Sequence, residues 1–428
     1  MNGLSKIINS LRFRLMNDAV DQDWCENLMW ILTLLFPALM TVKHGASVVF
    51  YLISAVSIYQ VVKKRPKLNL LSKYLLTSLI FLFAVSLVSL LNAEDMVNGI
   101  RRLKKIFHFL ILISILPAMA TVRKDLAFPY LIGSCIGGLV VFSITAYQVH
   151  IVGVTRAIGF YNIIMVGSMA VILALSIFIG LFLVKNNKVF FYLLLLSLAS
   201  ALYAAILSGT RGAWLGFLVG VPLGIFLMRR AFPKKKLIHA SLIAILIFVS
   251  AGIIGKNMII QRWETTLHYM KVKKTEESKT TAIGVRFLLW EAALKMWSRS
   301  PVLGTGLGDY EHDLVKMVTN GETEPPDINN TAIAYAHNIF LDSLACTGIL
   351  GLLVMTFATL GMPLLFFSKA IKSSNIDFDL YAAVFGVVFI IAFCIFGLTE
   401  NWLAHKQLVM TYTLLLAIMG TRFALKTD

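Results

Sequence analysis

Apolar residues in this chain come in runs near twenty long, and that feature decides the solvent in which it folds. Coiled as a helix, such a run matches the hydrocarbon thickness of a bilayer. Of the 428 residues 58% are hydrophobic and 14% charged, with a mean hydropathy of +0.80. Soluble domains are nearer half apolar and a quarter charged. The twenty-residue ruler predicts about twelve spans, at 27–42, 45–62, 74–91, 106–122, 126–147, 164–184, 189–207, 213–228, 237–255, 338–367, 378–398 and 407–424. Pro37, Pro117, Pro129, Pro222 and Pro363 fall inside or near spans, where neighbouring helices tolerate them. The expected fold is all-α and polytopic, one integrated membrane domain. Its parts are a 1–255 bundle of about nine spans, a large hydrophilic connection at 256–336, and a 337–428 segment of about three spans.

The net charge is +17, but the lysines and arginines sit in short loops between apolar runs. That pattern reflects membrane topology and contact with anionic lipids, and no nucleic-acid partner is expected. Alternate loops hold Lys6, Arg12 and Arg14, then Lys63, Lys64, Arg65, Lys67 and Lys73, and so on through Arg123, Lys124, Lys185, Lys188, Arg229, Arg230, Lys369, Lys372, Arg422 and Lys426. The intervening short loops hold far fewer. By the positive-inside rule the first set is cytoplasmic and both termini lie inside. The basic 92–105 connection falls on the outer side, against the rule. No cleavable signal peptide is expected, because the first twenty-four residues are polar and mixed. Cys25, Cys135, Cys346 and Cys394 lie in or beside apolar runs without metal-ligand spacing, so they are expected as core residues.

Residues 256–336 are unlike the other connections, and the alternation places them outside. The first part, WETTLHYMKVKKTEESKTT, is expected as a surface helix or a mobile segment. The middle, VRFLLWEAALKMWSRSP, predicts an amphipathic helix stopped by Pro301, with Glu291 and Lys295 paired at i,i+4. Its apolar face suits the outer leaflet or the mouth of the bundle.

Span interiors are almost free of ionisable groups, which weighs against an ion-coupled transporter. Arg156, Arg211, Arg286, His337, Glu400 and His405 line the outer boundary instead. Arg211 lies in SGTRGAW, where Gly209 and Gly212 permit a tight turn and close approach of a ligand; an arginine snorkelling to headgroups is the plainer alternative. Arg286 opens the amphipathic helix, where, taken alone, a solvated or headgroup-bound arginine is the plainer reading. His337 stands in AYAHNIFLDSL, where the large connection becomes a span. In the first turn of a helix the dipole would favour its neutral form, which a general base needs. His108 and His150 are expected as core or interfacial residues, and His312 and His405 as weaker candidates. The glycines of PVLGTGLGDY have no preceding strand and no following GK[ST], so turn formation accounts for them better than phosphate binding.

In three stretches the chain resembles the O-antigen ligase family, which shares a superfamily with lipid-linked polysaccharide polymerases. They are SGTRGAWLG (208–216), GVRFLLWEAALKMWSRSPVLGTGLGDY (284–310) and AHNIFLDSLACTGILGLL (336–353). The resemblance implies a GT-C-like glycosyltransferase of the Gram-negative inner membrane, acting on the periplasmic side in lipopolysaccharide biosynthesis. Its donor would be O-antigen preassembled on undecaprenyl diphosphate and its acceptor lipid A–core. The family's motif arginines fall on Arg211 and Arg286, its motif histidine on His337, and Arg156 in TRAIGFYN is a further match. These residues imply diphosphate binding by the three arginines and general-base catalysis by His337. Without paired carboxylates for a glycosyl-enzyme intermediate, direct displacement would invert the anomeric centre. No metal or other cofactor is expected. An O-antigen polymerase with the same donor is the nearest rival, and a lipid-linked glycan flippase a more distant one.

Overall fold

The computed structural model describes residues 24–184, 187–272, 281–325, 333–374 and 377–425. Lys6, Arg12, Arg14, Lys185 and Lys426 lie outside them, as do residues 273–280 of the charged segment and the residues behind the signal-peptide expectation up to 23.

The protein is a polytopic all-α membrane protein. Among the described residues no strand forms, and Leu68 and Leu425 make a lone antiparallel bridge. Its helices are α1 (Trp24–Leu39), α2 (Gly45–Lys64), α3 (Leu70–Leu90), α4 (Met96–Ala120), α5 (Ala127–Ile151), α6 (Ile163–Leu183), α7 (Lys188–Ser208), α8 (Arg211–Met228) and α9 (Lys234–Ile254). There follow α10 (Lys256–Val272), α11 (Gly284–Arg299), α12 (Tyr310–Thr319), α13 (Ile339–Ser373), α14 (Phe378–Gly397) and α15 (Lys406–Gly420). Ten of them, α2 to α9 with α13 and α14, are long and apolar enough to cross a bilayer. The first and last expected spans take shape as the shorter α1, of 16 residues, and α15, of 15 residues. Backbone groups in hydrocarbon have no water to bond, so each apolar run closes its own hydrogen bonds as a helix. Side-chain caps set several starts: Asn69, Asp95, Asn162 and Asn338 each accept from a backbone N–H of the first turn.

The Asp95 cap moves one expected boundary. The basic 92–105 stretch is not merely a loop: from Met96 onward it forms the opening turns of α4. The centre of the bundle is α6 and α14, whose apolar windows are 89% and 83% buried, while α9 at 22% lies at the periphery. A glycine on every fourth residue of α8 brings it against that centre. Gly212 meets Thr399, Gly216 meets Phe396, Gly220 meets Leu175 and Val388, and Gly224 meets Ile179. Small residues at this spacing let helix backbones approach closely where hydrophobicity cannot drive association. Arg211, the first residue of α8, is thereby carried to the central pair.

Polar contacts between elements gather at two ends. At one, Lys64 meets Glu26 at 3.0 Å, Lys124 donates to Asn27, Asn69 to Phe423 O, and Arg422 lies 3.2 Å from Asp379. The other end carries the turn before α8, the 399–405 connection, the start of α13 and helices α10 to α12. The amphipathic helix forms as α11, ending at Arg299 before Pro301, with Lys295 2.8 Å from Glu291. It packs across the bundle mouth, where Val285, Leu289 and Met296 share a small second core with Tyr310, Met317 and Ala345. Residues 263–272 of the charged segment form the second half of α10.

The glycines of PVLGTGLGDY are tertiary packing points. Gly304, Gly306 and Gly308 all have positive φ and press on the backbone of Cys346–Thr347, Ala93 and Asn98–Gly99 respectively. Thr305 N and Gly306 N donate to Ala345 O and Cys346 O, stitching this segment to α13.

Candidate functional site

The cavity of chemical interest opens at the second end and encloses about 720 Å³. Arg156, Arg211, Arg286 and His337, singled out in the sequence, all line it. Arg262 and Glu400 line it as well. Six separate segments supply these six residues, so their meeting is a product of the fold.

Gly209 makes the centre of the arrangement possible. It caps α7 in the left-handed conformation, with φ of 63°. A Cβ there would come 2.8 Å from Met258 Sδ, 3.0 Å from Arg156 Nε and 3.1 Å from Arg262 Nε. Two guanidinium groups therefore lie directly against the turn that leads into Arg211. Arg156 donates to Ser208 O at 3.0 Å and Gly209 O at 3.2 Å, and Arg211 donates to Thr266 Oγ1. Arg262 Nε is buried without a hydrogen-bond partner. Among the described residues none of the four arginines forms an ion pair with a carboxylate. Burial, and then repulsion from Arg262, Arg211 and Arg286, brings the Arg156 guanidinium down to about 10. Burial also lowers Arg262, with Arg211 and Arg286 adding to it. Arg286 is lowered by burial, an effect opposed by Glu400 and reinforced by Arg211. Charges concentrated in this way, in a site that excludes much of the surrounding water, suit a multiply charged anion.

His337 faces this cluster from the start of α13. It stands one residue before the N-cap Asn338, not in the first helical turn, so the dipole is not what holds it. Its φ of 49° is left-handed, an uncommon conformation for a side-chain-bearing residue and one that collects at functional sites. Glu400 orients the ring instead: Nδ1 lies 3.2 Å from Glu400 Oε2. An ionised carboxylate only accepts, so Nδ1 is the donor in this bond, and in the neutral ring the lone pair then falls on Nε2. Glu400 Oε1 lies 3.2 Å from His405 Nε2, which is also 3.2 Å from the Tyr335 hydroxyl. Tyr335 stands edge-on to His337, ring centroids 4.7 Å apart. Burial pushes the Glu400 carboxyl up, but its hydrogen bonds to His337 and His405 prevail and hold it well below the usual carboxylate range. Burial, then the charge of Glu400, raises the Tyr335 phenol far above its ordinary value, so it stays protonated. Glu400 is 1% exposed while His337 is 30% exposed; the acid is the buried support and the imidazole the accessible member.

His108, His150 and His312 are not among the residues that line the cavity. His108 bonds Tyr51 and Lys105 O, His150 bonds Tyr203, and His312 lies near the exposed Glu94. Among the described residues no three His, Cys, Asp or Glu are grouped to hold a metal ion. Cys25, Cys135 and Cys346 are buried and Cys394 is half-buried.

Two similarities to known proteins bear on this site. Residues 195–356 match a family model described as O-antigen ligase. That stretch carries Arg211, Arg262, Arg286 and His337, and it bears out the resemblance to the O-antigen ligase family found in the sequence. An uncharacterized protein of Haemophilus influenzae is 24% identical over 382 residues, which cover 88% of this chain and 93% of that protein.

Proposed function

We propose that this protein is an O-antigen ligase. It transfers preassembled O-antigen from undecaprenyl diphosphate to lipid A–core at the periplasmic face of the Gram-negative inner membrane, with both termini in the cytoplasm. The observation that carries this reading is one cavity holding four arginines that have no carboxylate partner among the described residues, opposite a carboxylate-held imidazole. The basic loops at the far end support the orientation. Outside the cytoplasm nucleotide sugars and ATP are not at hand, so the donor must arrive already activated and linked to lipid.

A lipid diphosphate is a good leaving group that needs charge stabilisation more than protonation. Arg156, Arg211, Arg262 and Arg286 offer planar, always-charged forks to its oxygens and supply the positive charge that a divalent ion would otherwise bring. The acceptor hydroxyl is a weak nucleophile. His337 Nε2 takes its proton as the new bond forms between the acceptor oxygen and the anomeric carbon. The bond from that carbon to the diphosphate oxygen breaks with its electron pair, leaving undecaprenyl diphosphate. Glu400 stabilises the imidazolium until its proton passes to water. One displacement inverts the anomeric centre, without a metal or other cofactor.

The test uses the full-length chain in nanodiscs with purified lipid-linked glycan and lipid A–core. The expected result is a covalent product of inverted configuration, and a fall of about 10²–10⁴-fold in turnover for His337→Ala. Undiminished transfer by that variant would remove the base assignment. Joining of two lipid-linked glycans in place of transfer to lipid A–core would make the protein a polymerase, and movement of donor without a covalent product a flippase.

A further inference from the structure

Arg102 and Lys105 belong to the basic stretch that offends the positive-inside rule, and both turn inward. They sit three residues apart on α4, hence on one face. Arg102 Nη1 lies 3.5 Å from Asp342 Oδ2, and the two side chains are only 12% and 8% exposed. Asp342, in the first turn of α13, belongs to the few acids within a span. Breaking such a buried pair is costly, yet apolar residues of similar size often replace it without loss of stability. A need beyond stability is therefore worth seeking where one is kept.

The contacts of the pair indicate that need. Asp342 Oδ1 accepts from Ala336 N at 3.2 Å, and Oδ2 accepts from Asn401 Nδ2 at 2.5 Å. Ala336 immediately precedes His337, and Asn401 immediately follows Glu400. One carboxylate thus holds the chain neighbours of both partners in the His337–Glu400 bond. Arg102 adds to the grip: Nη2 donates to Ala334 O at 2.8 Å, and its guanidinium lies 5.3 Å from the centre of the Tyr335 ring that abuts His337. Lys105 Nζ donates to Ala404 O at 2.6 Å, fixing the far side of the Glu400 connection. A left-handed His337 needs such restraint, because its backbone would relax if released.

We propose that Arg102 and Asp342 are positioning residues of the transfer reaction, a clamp that sets the His337–Glu400 distance without touching donor or acceptor. This rests on His337 acting as the base. Misplacing a catalytic group by about an ångström costs on the order of 10²-fold.

Asp342→Asn and the apolar double variant Arg102→Met with Asp342→Leu test the clamp in the full-length nanodisc protein. Both are expected to bind undecaprenyl diphosphate with unchanged Kd and to turn over about 10–100-fold more slowly. The double variant is expected to melt close to the wild type, so a purely structural role predicts normal turnover there. In a Glu400→Gln background, where the held bond is already weakened, Asp342→Asn should slow transfer less than threefold, about a step below its effect alone. Normal turnover in Asp342→Asn, or an equal loss with and without Glu400→Gln, overturns the clamp. If the double variant fails to insert, Arg102→Lys decides: it is expected to lose about tenfold with KM for donor unchanged, and a wild-type rate overturns the proposal. His337→Ala measured in parallel separates the two claims. Full transfer by His337→Ala removes the base itself, whereas its loss beside a normal Asp342→Asn removes the clamp alone.

Discussion

Four guanidinium groups around one cavity repel one another, and the protein tolerates this because the turn at Gly209 and the carbonyls of Ser208 and Gly209 partly solvate them. Arg262 pays most, since its Nε is buried without a partner. Arg262→Ala should therefore act with opposite signs on the empty and the loaded protein. The empty protein is expected to be as stable as the wild type or more so, because repulsion from Arg211 and Arg286 is relieved. The KM for donor is expected to rise about 10–100-fold, which corresponds to a charged hydrogen bond of about 1.5–3 kcal/mol. Thermal melts and initial rates at limiting donor check both; a lower melting temperature with an unchanged KM would make Arg262 a structural residue. Arg262 was hidden in the sequence because it stands immediately before a charged segment that resembles a solvated surface. Glu400 stood out as a boundary acid, but its bond to His337 spans 63 residues and no spacing announces it. Arg156, Arg211, Arg286 and His337 were legible because motif strings surround them.

At the level of elements, the α7–α8 turn joins cap, packing and site. Replacing Gly209 with Ala imposes two burdens: a left-handed backbone, about 1–2 kcal/mol, and a Cβ about 3 Å from Arg156 Nε and Arg262 Nε. Gly321 separates them, since it too is left-handed, with φ of 69°, but a Cβ there meets nothing within 4 Å. Gly209→Ala and Gly321→Ala are expected to lose comparable backbone stability, while only Gly209→Ala raises the KM for donor. Equal KM values would show that the turn does not shape the anion site. Helix existence was legible from apolar run length, and α11 even to its stop before Pro301. The start of α4 was not, because the basic 96–105 residues lower the local hydropathy while the Asp95 cap and a face turned toward α13 make them helical. The ends of α1 and α15 fall short of the twenty-residue ruler for the reason that a ruler measures apolar length and not where a helix frays or is capped.

Across the whole molecule, orientation ties the chemistry to its donor. The two ends are distinct in polar content: one holds the Lys64–Glu26 and Arg422–Asp379 pairs among densely basic loops, the other the arginine cavity. Arg102 and Lys105 explain why the cavity end is more basic than topology alone would make it; they face inward and bond Asp342 and Ala404 O, so they do not count as free loop charge. With those two set aside the charge asymmetry favours the proposed orientation more strongly. Single cysteines labelled with a membrane-impermeant maleimide test it. The native thiols form a quiet background, because Cys25, Cys135 and Cys346 are buried and Cys394 is half-buried within α14. Val315→Cys, on the exposed face of α12, is expected to label in intact spheroplasts, and Lys67→Cys, between α2 and α3, only after lysis. The reverse pattern would put His337 and the four arginines in the cytoplasm. There nucleotide-activated sugars are available, and the physical reason for a lipid-linked donor would be gone even though every distance in the cavity stayed the same.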